Sequence, residues 1–311
     1  MVESKHKWKA WLYLSPAIVL LLIFTVWPII NTLIMAFSEK YSAMGMLGGN
    51  SFSFGLGNFE QILIKSIGTP QSDFFKMLGT TALLCVITVP LSTILALLIA
   101  VCLNSIKPLQ KTLQTIFFLP YVTNSIAIGM VFAAMFQIIG TSSVTISNGL
   151  INNFLGIFGI APINWLGGTG HYWENITVMV IYIVWNALPF KILVLLGGLQ
   201  GINKQYYDAA KVDSTPKSRV FRKITVPLLS PMIAYVVITS FIGGFKEYSS
   251  IVGVFGEDMN GGELKTIVGY IYDCIKMNQQ GYASAAAIVL FIIIFAITMI
   301  NLYVSKKKTH Y

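Results

Sequence analysis

Three groups of polar side chains interrupt otherwise uncharged apolar runs in this sequence. Lys191 is the one charge in residues 176–202, and Lys246 and Glu247 are the only charges in residues 224–256. An ionised group inside lipid costs several kcal/mol unless it is paired, so such residues mark ligand paths by default. A Lys–Glu pair inside a helix bundle, or snorkelling to an interface, accounts for the same pattern. Nearer the N-terminus, Tyr121, Asn124 and Ser125 open another apolar run. Tyr121 and Ser125 are one helical turn apart and share a face, where an aromatic ring beside hydroxyl and amide groups suits a polyhydroxylated ring.

A different chemistry sits in residues 204–223, where six Lys/Arg and two Asp stand between two long apolar runs. Residues 205–212 read as a short helix, with Asp208 near its N-terminus to complement the helix dipole and with small Ala209 and Ala210 that let another surface approach closely. Asp213, Ser214 and Thr215 precede Pro216, which reads as an N-cap followed by proline in the first turn of a second helix. That helix carries Lys217, Arg219, Arg222 and Lys223 before Pro227 and Pro231. Positive charge alone would explain the Lys and Arg residues. It would not explain the Ala pair, the turn or the length, so the segment reads as a docking surface for a soluble partner.

No catalytic or metal site is expected. Cys85 and Cys102 share an apolar run and Cys274 lies in a polar loop, while His6, His171 and His310 are isolated. That scatter has neither a disulfide framework nor ligand spacing. No G-x-x-x-x-G-K-[ST] phosphate loop occurs, so the chain is not expected to bind ATP itself. Its basic residues gather at the ends of apolar runs rather than in a soluble basic domain, which excludes nucleic acid as a partner.

The elements that must position these groups follow from composition. The 311-residue chain is 55% hydrophobic and 11% charged, whereas soluble domains average about 25% charged residues. Most of it therefore belongs in lipid. A spanning helix takes about 20 mostly apolar residues, and residues 11–34, 77–103, 115–139, 176–198, 226–253 and 282–304 qualify. None alternates with period two, which leaves helices as the spanning solution. The expected fold is an all-α integral membrane protein, a single domain over 1–311 with six transmembrane helices. Its first run is uncharged from Ala10 to Ser38, too long for a signal core and without a small-residue cleavage site, so it is expected as a retained helix. Lys5, Lys7, Lys9, Lys107, Lys111, the basic residues of 204–223 and Lys306, Lys307 and Lys308 fall on one side, against Lys40, Lys65, Lys76, Lys265 and Lys276 on the other. By the positive-inside rule both termini and the 204–223 loop are cytoplasmic. Of the outer loops, 39–75 has turn signals at Gly48-Gly49-Asn50 and at Gly55 and Gly57. The other, 140–172, is uncharged, with a short amphipathic helix at 149–158 and a turn holding an interfacial Trp at 162–166.

The 204–223 segment resembles the EAA loop of binding-protein-dependent ABC importer permeases. Asp208-Ala209-Ala210 stands for E-A-A and Ile224-Thr225-Val226-Pro227 for I-x-L-P at the family's spacing, with Phe221 and Leu228-Leu229 also fitting. Asp208 replaces Glu. Ser214 stands where the family has Gly, so the turn must avoid a glycine-only conformation or tolerate strain. Along the rest of the chain, Ser15-Pro16-Ala17, Gly55-Leu56-Gly57-Asn58-Phe59, Leu119-Pro120-Tyr121, Ile163-Asn164-Trp165-Leu166 and Tyr282-Ala283-Ser284-Ala285-Ala286-Ala287 occur in the order of the carbohydrate-uptake branch. The chain is similar to the substrate-binding permease of the maltose transporter.

The resemblance implies a non-catalytic subunit in a bacterial or archaeal cell membrane. It would form a heterodimer with a second, homologous permease chain, dock two ATP-binding subunits that hold ATP and Mg, and receive a sugar from an extracytoplasmic solute-binding protein. It assigns coupling to Asp208, Ala209, Ala210, Asp213, Ser214, Pro216, Arg219, Phe221 and Arg222. Tyr121 and Ser125 match sugar-contacting positions, with Asn124 beside them. Asn186 and Phe190 fall in a second contact region, and Gly243 to Glu247 near a third. Lys191 and Lys246 also permit a charged solute such as a glycerol phosphate or an acidic sugar. A stand-alone secondary transporter would need paired repeats, and none is evident in the sequence.

Overall fold

A computed structural model describes residues 7–39, 41, 53–66, 73–106, 110–141, 144–168, 170–259 and 261–308. The Gly48-Gly49-Asn50 signal, Lys5, Lys40, Lys107, His6 and His310 lie outside the described residues. In chain order the helices begin with α1 (Lys7–Leu21), α2 (Trp27–Phe37), α3 (Gly57–Glu60), α4 (Phe74–Ser105), α5 (Gln110–Val122), α6 (Ser125–Phe136) and α7 (Leu150–Ile157). They continue as α8 (Tyr172–Gln200), α9 (Lys204–Val212), α10 (Lys217–Val220), α11 (Val226–Gly244), α12 (Ser249–Phe255), α13 (Ile267–Lys276) and α14 (Gln280–Lys308). Two short antiparallel hairpins amend the all-α expectation: β1 (Ser38–Glu39) with β2 (Ser53–Phe54), and β3 (Ile138–Thr141) with β4 (Val144–Asn148). Among the described residues, five helical runs are long and apolar enough to cross a membrane: Trp11–Phe37, Phe74–Ser105, Tyr172–Gln200, Lys217–Gly244 and Gln280–Ser305.

The chain divides into two compact units. The first comprises Met1–Phe74 and Tyr270–Phe291. Here α1 and α2 form one run through a π turn at Leu22–Val26, and Pro28 sits in the first turn of α2, where its missing N–H is tolerated. Buried Asn58 ties off the far end of α2, its amide donating to the carbonyls of Ala36 at 2.9 Å and Ser38 at 3.0 Å. Beside it, the Glu39 carboxylate accepts the Gly57 N–H at 2.9 Å. A Cβ at Gly55 or Gly57 would fall 2.2 or 2.7 Å from that carboxylate, so the Gly55–Asn58 motif has a physical reason.

The second unit comprises Phe75–Gly269 and Ile292–Tyr311. One core gathers Phe132, Met179, Tyr182, Ile251 and Val254 from α6, α8 and α12; another gathers Ala96, Ala100, Leu195, Leu196, Leu229 and Val236 from α4, α8 and α11. Small side chains at such crossings let helix backbones approach without a strong hydrophobic drive from lipid. α6 and α12 cross backbone to backbone. There a Cβ on Gly129 would lie 2.6 Å from the Gly253 Cα, and one on Gly253 would lie 2.9 Å from the Ile126 carbonyl oxygen.

Two of the expected spans are broken. Residues 115–139 do not form one helix: α5 ends at Val122 and α6 begins at Ser125, because Asn124 takes an extended ψ of 125° and its side chain accepts the Ile126 N–H. Residues 226–253 likewise divide, since α11 ends at the Gly243-Gly244 pair and α12 starts after Tyr248.

Candidate functional site

α8 carries Tyr182, Asn186 and Phe190 at successive turns, so the three share one stripe. The two broken helices meet this stripe. Tyr182 Oη donates to the Ser125 carbonyl at 2.5 Å, and the Ser125 hydroxyl lies 3.0 Å from the same phenol oxygen. Ser125 Oγ also accepts from Asn186 Nδ2 at 3.5 Å and stands 3.5 Å from Ser250 Oγ in the first turn of α12. One turn along the stripe, Phe190 stacks on Tyr121 of α5, with ring centroids 5.8 Å apart and planes at 20°. Tyr121 also meets Phe118 at 5.3 Å between centroids and is 50% exposed. Hydroxyl, amide and a part-exposed aromatic shelf therefore converge where both spans are interrupted.

Sequence reasoning placed Tyr121 and Ser125 on one continuous helix face. They reach the same stripe from separate helices instead, across the Asn124 break. Asn124 itself spends its side-chain oxygen on the Ile126 N–H at 2.8 Å, a helix cap. Tyr182 and Ser250 were missed. The readable signal for Tyr182 was its position one turn before Asn186.

The ionisable residues separate. Lys191 is 3% exposed and directly follows Phe190, about 100° around α8 from it and about 180° from Tyr182. It faces α4, where Nζ donates to Ser92 Oγ at 2.6 Å, Thr93 Oγ1 at 3.2 Å and the Val89 carbonyl at 3.5 Å, next to Pro90. Glu247 closes the other break: it accepts the Ser250 N–H at 3.2 Å, and its carbonyl accepts Thr266 Oγ1 at 3.0 Å. Lys246 is exposed. Among the described residues no ion pair joins these three, so the Lys–Glu alternative is not what the fold forms.

The basic segment is a helical hairpin. Asn203 caps α9 by accepting the Gln205 N–H at 3.0 Å, so Asp208 sits in mid-helix rather than near the start, paired with Lys211 at 3.0 Å. Asp208 and Ala209 are exposed, Val212 is 85% exposed, and Ala210 is buried. Of the Ala pair, Ala209 alone is presented outward. The helix ends with the Thr215 N–H on the Ala210 carbonyl at 2.9 Å and the Ser214 N–H on the Lys211 carbonyl at 3.0 Å. That is the two-bond cap whose linking residue is left-handed, and Ser214 occupies it with φ of 50°. The family's glycine therefore has a backbone reason, and this chain tolerates the strain. Ser214→Gly should raise the melting temperature of the purified chain, since the left-handed conformation costs about 1–2 kcal/mol with a Cβ present; a lower melting temperature would assign the Ser hydroxyl a role of its own.

Pro216 is itself the N-cap of α10, with ψ of 144° and no side-chain bond, rather than a first-turn residue capped by Thr215. From there the backbone runs unbroken through a π turn at Phe221–Thr225 into α11. Arg219 and Arg222 are exposed, and Phe221 turns partly inward. Between the hairpin and the ends of α4 and α8 lies a groove of ≈ 690 Å³ lined by Val101, Leu199, Tyr207, Lys211, Phe221 and Thr225, among others.

Comparison with known proteins agrees with this layout. The family model described as "Binding-protein-dependent transport system inner membrane component" matches residues 88–310. The lactose transport system permease protein LacF of Rhizobium radiobacter is 30% identical over 305 residues, covering 96% of this chain and 94% of LacF. The arabinooligosaccharides transport system permease protein AraP of Halalkalibacterium halodurans is 30% identical, covering 97% and 89%. The trehalose/maltose transport system permease protein MalF of Thermococcus litoralis is 26% identical, covering 99% and 98%. Among solved structures, a chain of a bacterial ABC transporter that imports the acidic polysaccharide alginate superposes with a TM-score of 0.75 at 20% identity over 98% of both chains. At that identity the likeness speaks to the fold.

Proposed function

Since the chain belongs to the binding-protein-dependent inner-membrane transport components, in the carbohydrate-uptake branch of ABC permeases, we propose that it carries a neutral sugar or oligosaccharide into the cytoplasm by alternating access. A homologous second permease completes the pathway, an extracytoplasmic protein delivers the sugar, and two partner subunits bind ATP and Mg and hydrolyse the ATP. Both termini and the α9–α10 hairpin face the cytoplasm in this reading, which the Lys/Arg asymmetry supports. The hairpin receives the ATPase stroke through Asp208, Ala209, Val212 and the exposed Arg219 and Arg222, and tilts the helices between two states.

The observation that carries the sugar assignment is the convergence of Tyr121, Ser125, Asn186 and Phe190 at the interruption of two spans. A sugar offers C–H faces to the part-exposed Tyr121 ring and hydroxyls to Ser125 and Asn186. Half-buried backbone breaks are where transporters expose polar groups at membrane depth. A charged cargo would use a cation at this place; Lys191 is already bonded to α4, which leaves exposed Lys246, four residues before Ser250 at the second break, for that alternative. The test is to reconstitute the complex and measure which oligosaccharides stimulate ATP hydrolysis. Neutral ones should do so, and Tyr121→Ala should raise the half-maximal concentration about tenfold, equivalent to about 1.4 kcal/mol. A response confined to phosphorylated or acidic sugars would overturn the neutral cargo. Indifference to both Tyr121→Ala and Asn186→Ala would remove the site.

A further inference from the structure

One helix of the loop between α6 and α8 is turned the wrong way for a water-facing element. Along α7, Leu150, Phe154 and Ile157, with Phe158 just beyond its end, form a ridge exposed at 61%, 55%, 77% and 68%. Phe154 and Phe158 meet edge to face at 5.4 Å, so the ridge is continuous. The polar side of the helix is spent on its own loop. Asn152 is buried; its Oδ1 accepts from Trp165 Nε1 at 3.0 Å and the Ile163 N–H at 3.1 Å, and its Nδ2 donates to the Ile163 carbonyl at 3.0 Å. Trp165 is in turn packed edge-on against Phe136 at the end of α6, 5.7 Å between centroids. The ridge is thus held outward by a rigid clamp rather than displayed by a loose loop.

We propose that α7 is an interfacial anchor whose ridge enters the acyl-chain boundary of the membrane leaflet at the end of α8 opposite the basic hairpin. Three observations select lipid as the occupant. No Asp, Glu, Lys or Arg occurs between Lys111 and Glu174, so this surface offers a protein partner no charge to set register, whereas lipid needs none. Both ends of the loop are bound to membrane helices, α6 and α8, which hold α7 near the boundary. The first turn of α8 adds exposed Trp173 (67%) packed on Tyr172, an aromatic pair of the kind that settles at the headgroup level. A short helix with an apolar ridge and a water-facing remainder binds in that plane. The inference rests on the membrane-transport reading above only for which leaflet is meant.

The experiment uses the complete complex in phosphatidylcholine–phosphatidylglycerol vesicles, with exposed Cys102 replaced by Ala and nitroxide attached at Phe154→Cys, Ile157→Cys or Gly156→Cys. Gly156 lies on the other side of α7, and a side chain there meets nothing within 4 Å. Labels at 154 and 157 should be severalfold more accessible to oxygen than to a water-soluble nickel chelate, and the label at 156 the reverse. Equal chelate access at all three sites would overturn the proposal, because the ridge would be in water. Shielding of 154 and 157 from both reagents would also overturn it, with a protein as the occupant. The readout does not depend on transport, so a wrong cargo leaves it intact; a monodisperse elution profile and the parent's melting temperature for each labelled complex verify the fold.

Discussion

Ala209→Trp is expected to abolish sugar-stimulated ATP hydrolysis in the reconstituted complex while leaving the isolated chain as stable as before. Ala209 is exposed on the same side of α9 as Asp208 and the 85% exposed Val212, so a bulky side chain there meets no neighbour within the chain. It would meet whatever docks on that side. A partner seated closely enough to transmit a stroke cannot accommodate an indole in place of a methyl, and a loss of at least about tenfold in stimulated rate, or about 1.4 kcal/mol of docking free energy, should follow. The matching change at Ala210 is uninformative, because that residue is buried against the Thr215 turn and would unfold the hairpin instead. Full stimulation in the Ala209→Trp complex would remove the hairpin from energy coupling.

Gly129→Val should be more damaging to the chain itself. Overpacking a well-filled core costs about 1–3 kcal/mol when side chains can shift. Here the added Cβ would sit 2.6 and 2.7 Å from the Gly253 Cα and carbonyl carbon, which are backbone, so α6 and α12 must separate. Separation also parts Ser125 from Ser250 and removes the polar convergence on α8. The expected result is poor recovery of monodisperse protein and a melting temperature well below that of the parent. Gly243→Ala is the control, since a Cβ there meets nothing within 4 Å; it should melt within a degree or two of the parent. Normal melting of the Gly129→Val protein would mean the crossing is looser than described.

The positions of the long helices were legible because lipid imposes one requirement, about 20 apolar residues, that survives any detail of packing. The interruptions of the third and fifth runs were not, because hydropathy is blind to ψ. Asn124 and the Gly243-Gly244 pair are local backbone signals inside stretches whose average hydropathy is unchanged. The basic hairpin was legible in outline, yet its helix starts were misplaced: α9 begins at the Asn203 cap, which puts Asp208 in mid-helix, and Pro216 holds the cap expected of Thr215. Tyr121, Ser125, Asn186 and Phe190 do come together, but through tertiary contacts that no spacing rule reports. Lys191 shows the opposite case. Its rarity in an apolar run was plain, but only the packing of α8 on α4 shows that it belongs to α4's hydroxyls.

The unbroken course of α10 into α11 has a mechanical corollary. From Lys217 to Gly244 the helix has 28 residues, which makes a rod of about 42 Å at 1.5 Å per residue. If it moves as one body across its π turn and Pro231, a pivot of only about 5° at the hairpin end would sweep the far tip through roughly 4 Å. That tip is the glycine pair just before Glu247 and Ser250. Leverage, rather than a relay of side chains, would then be enough to open the place where Ser125 meets Ser250.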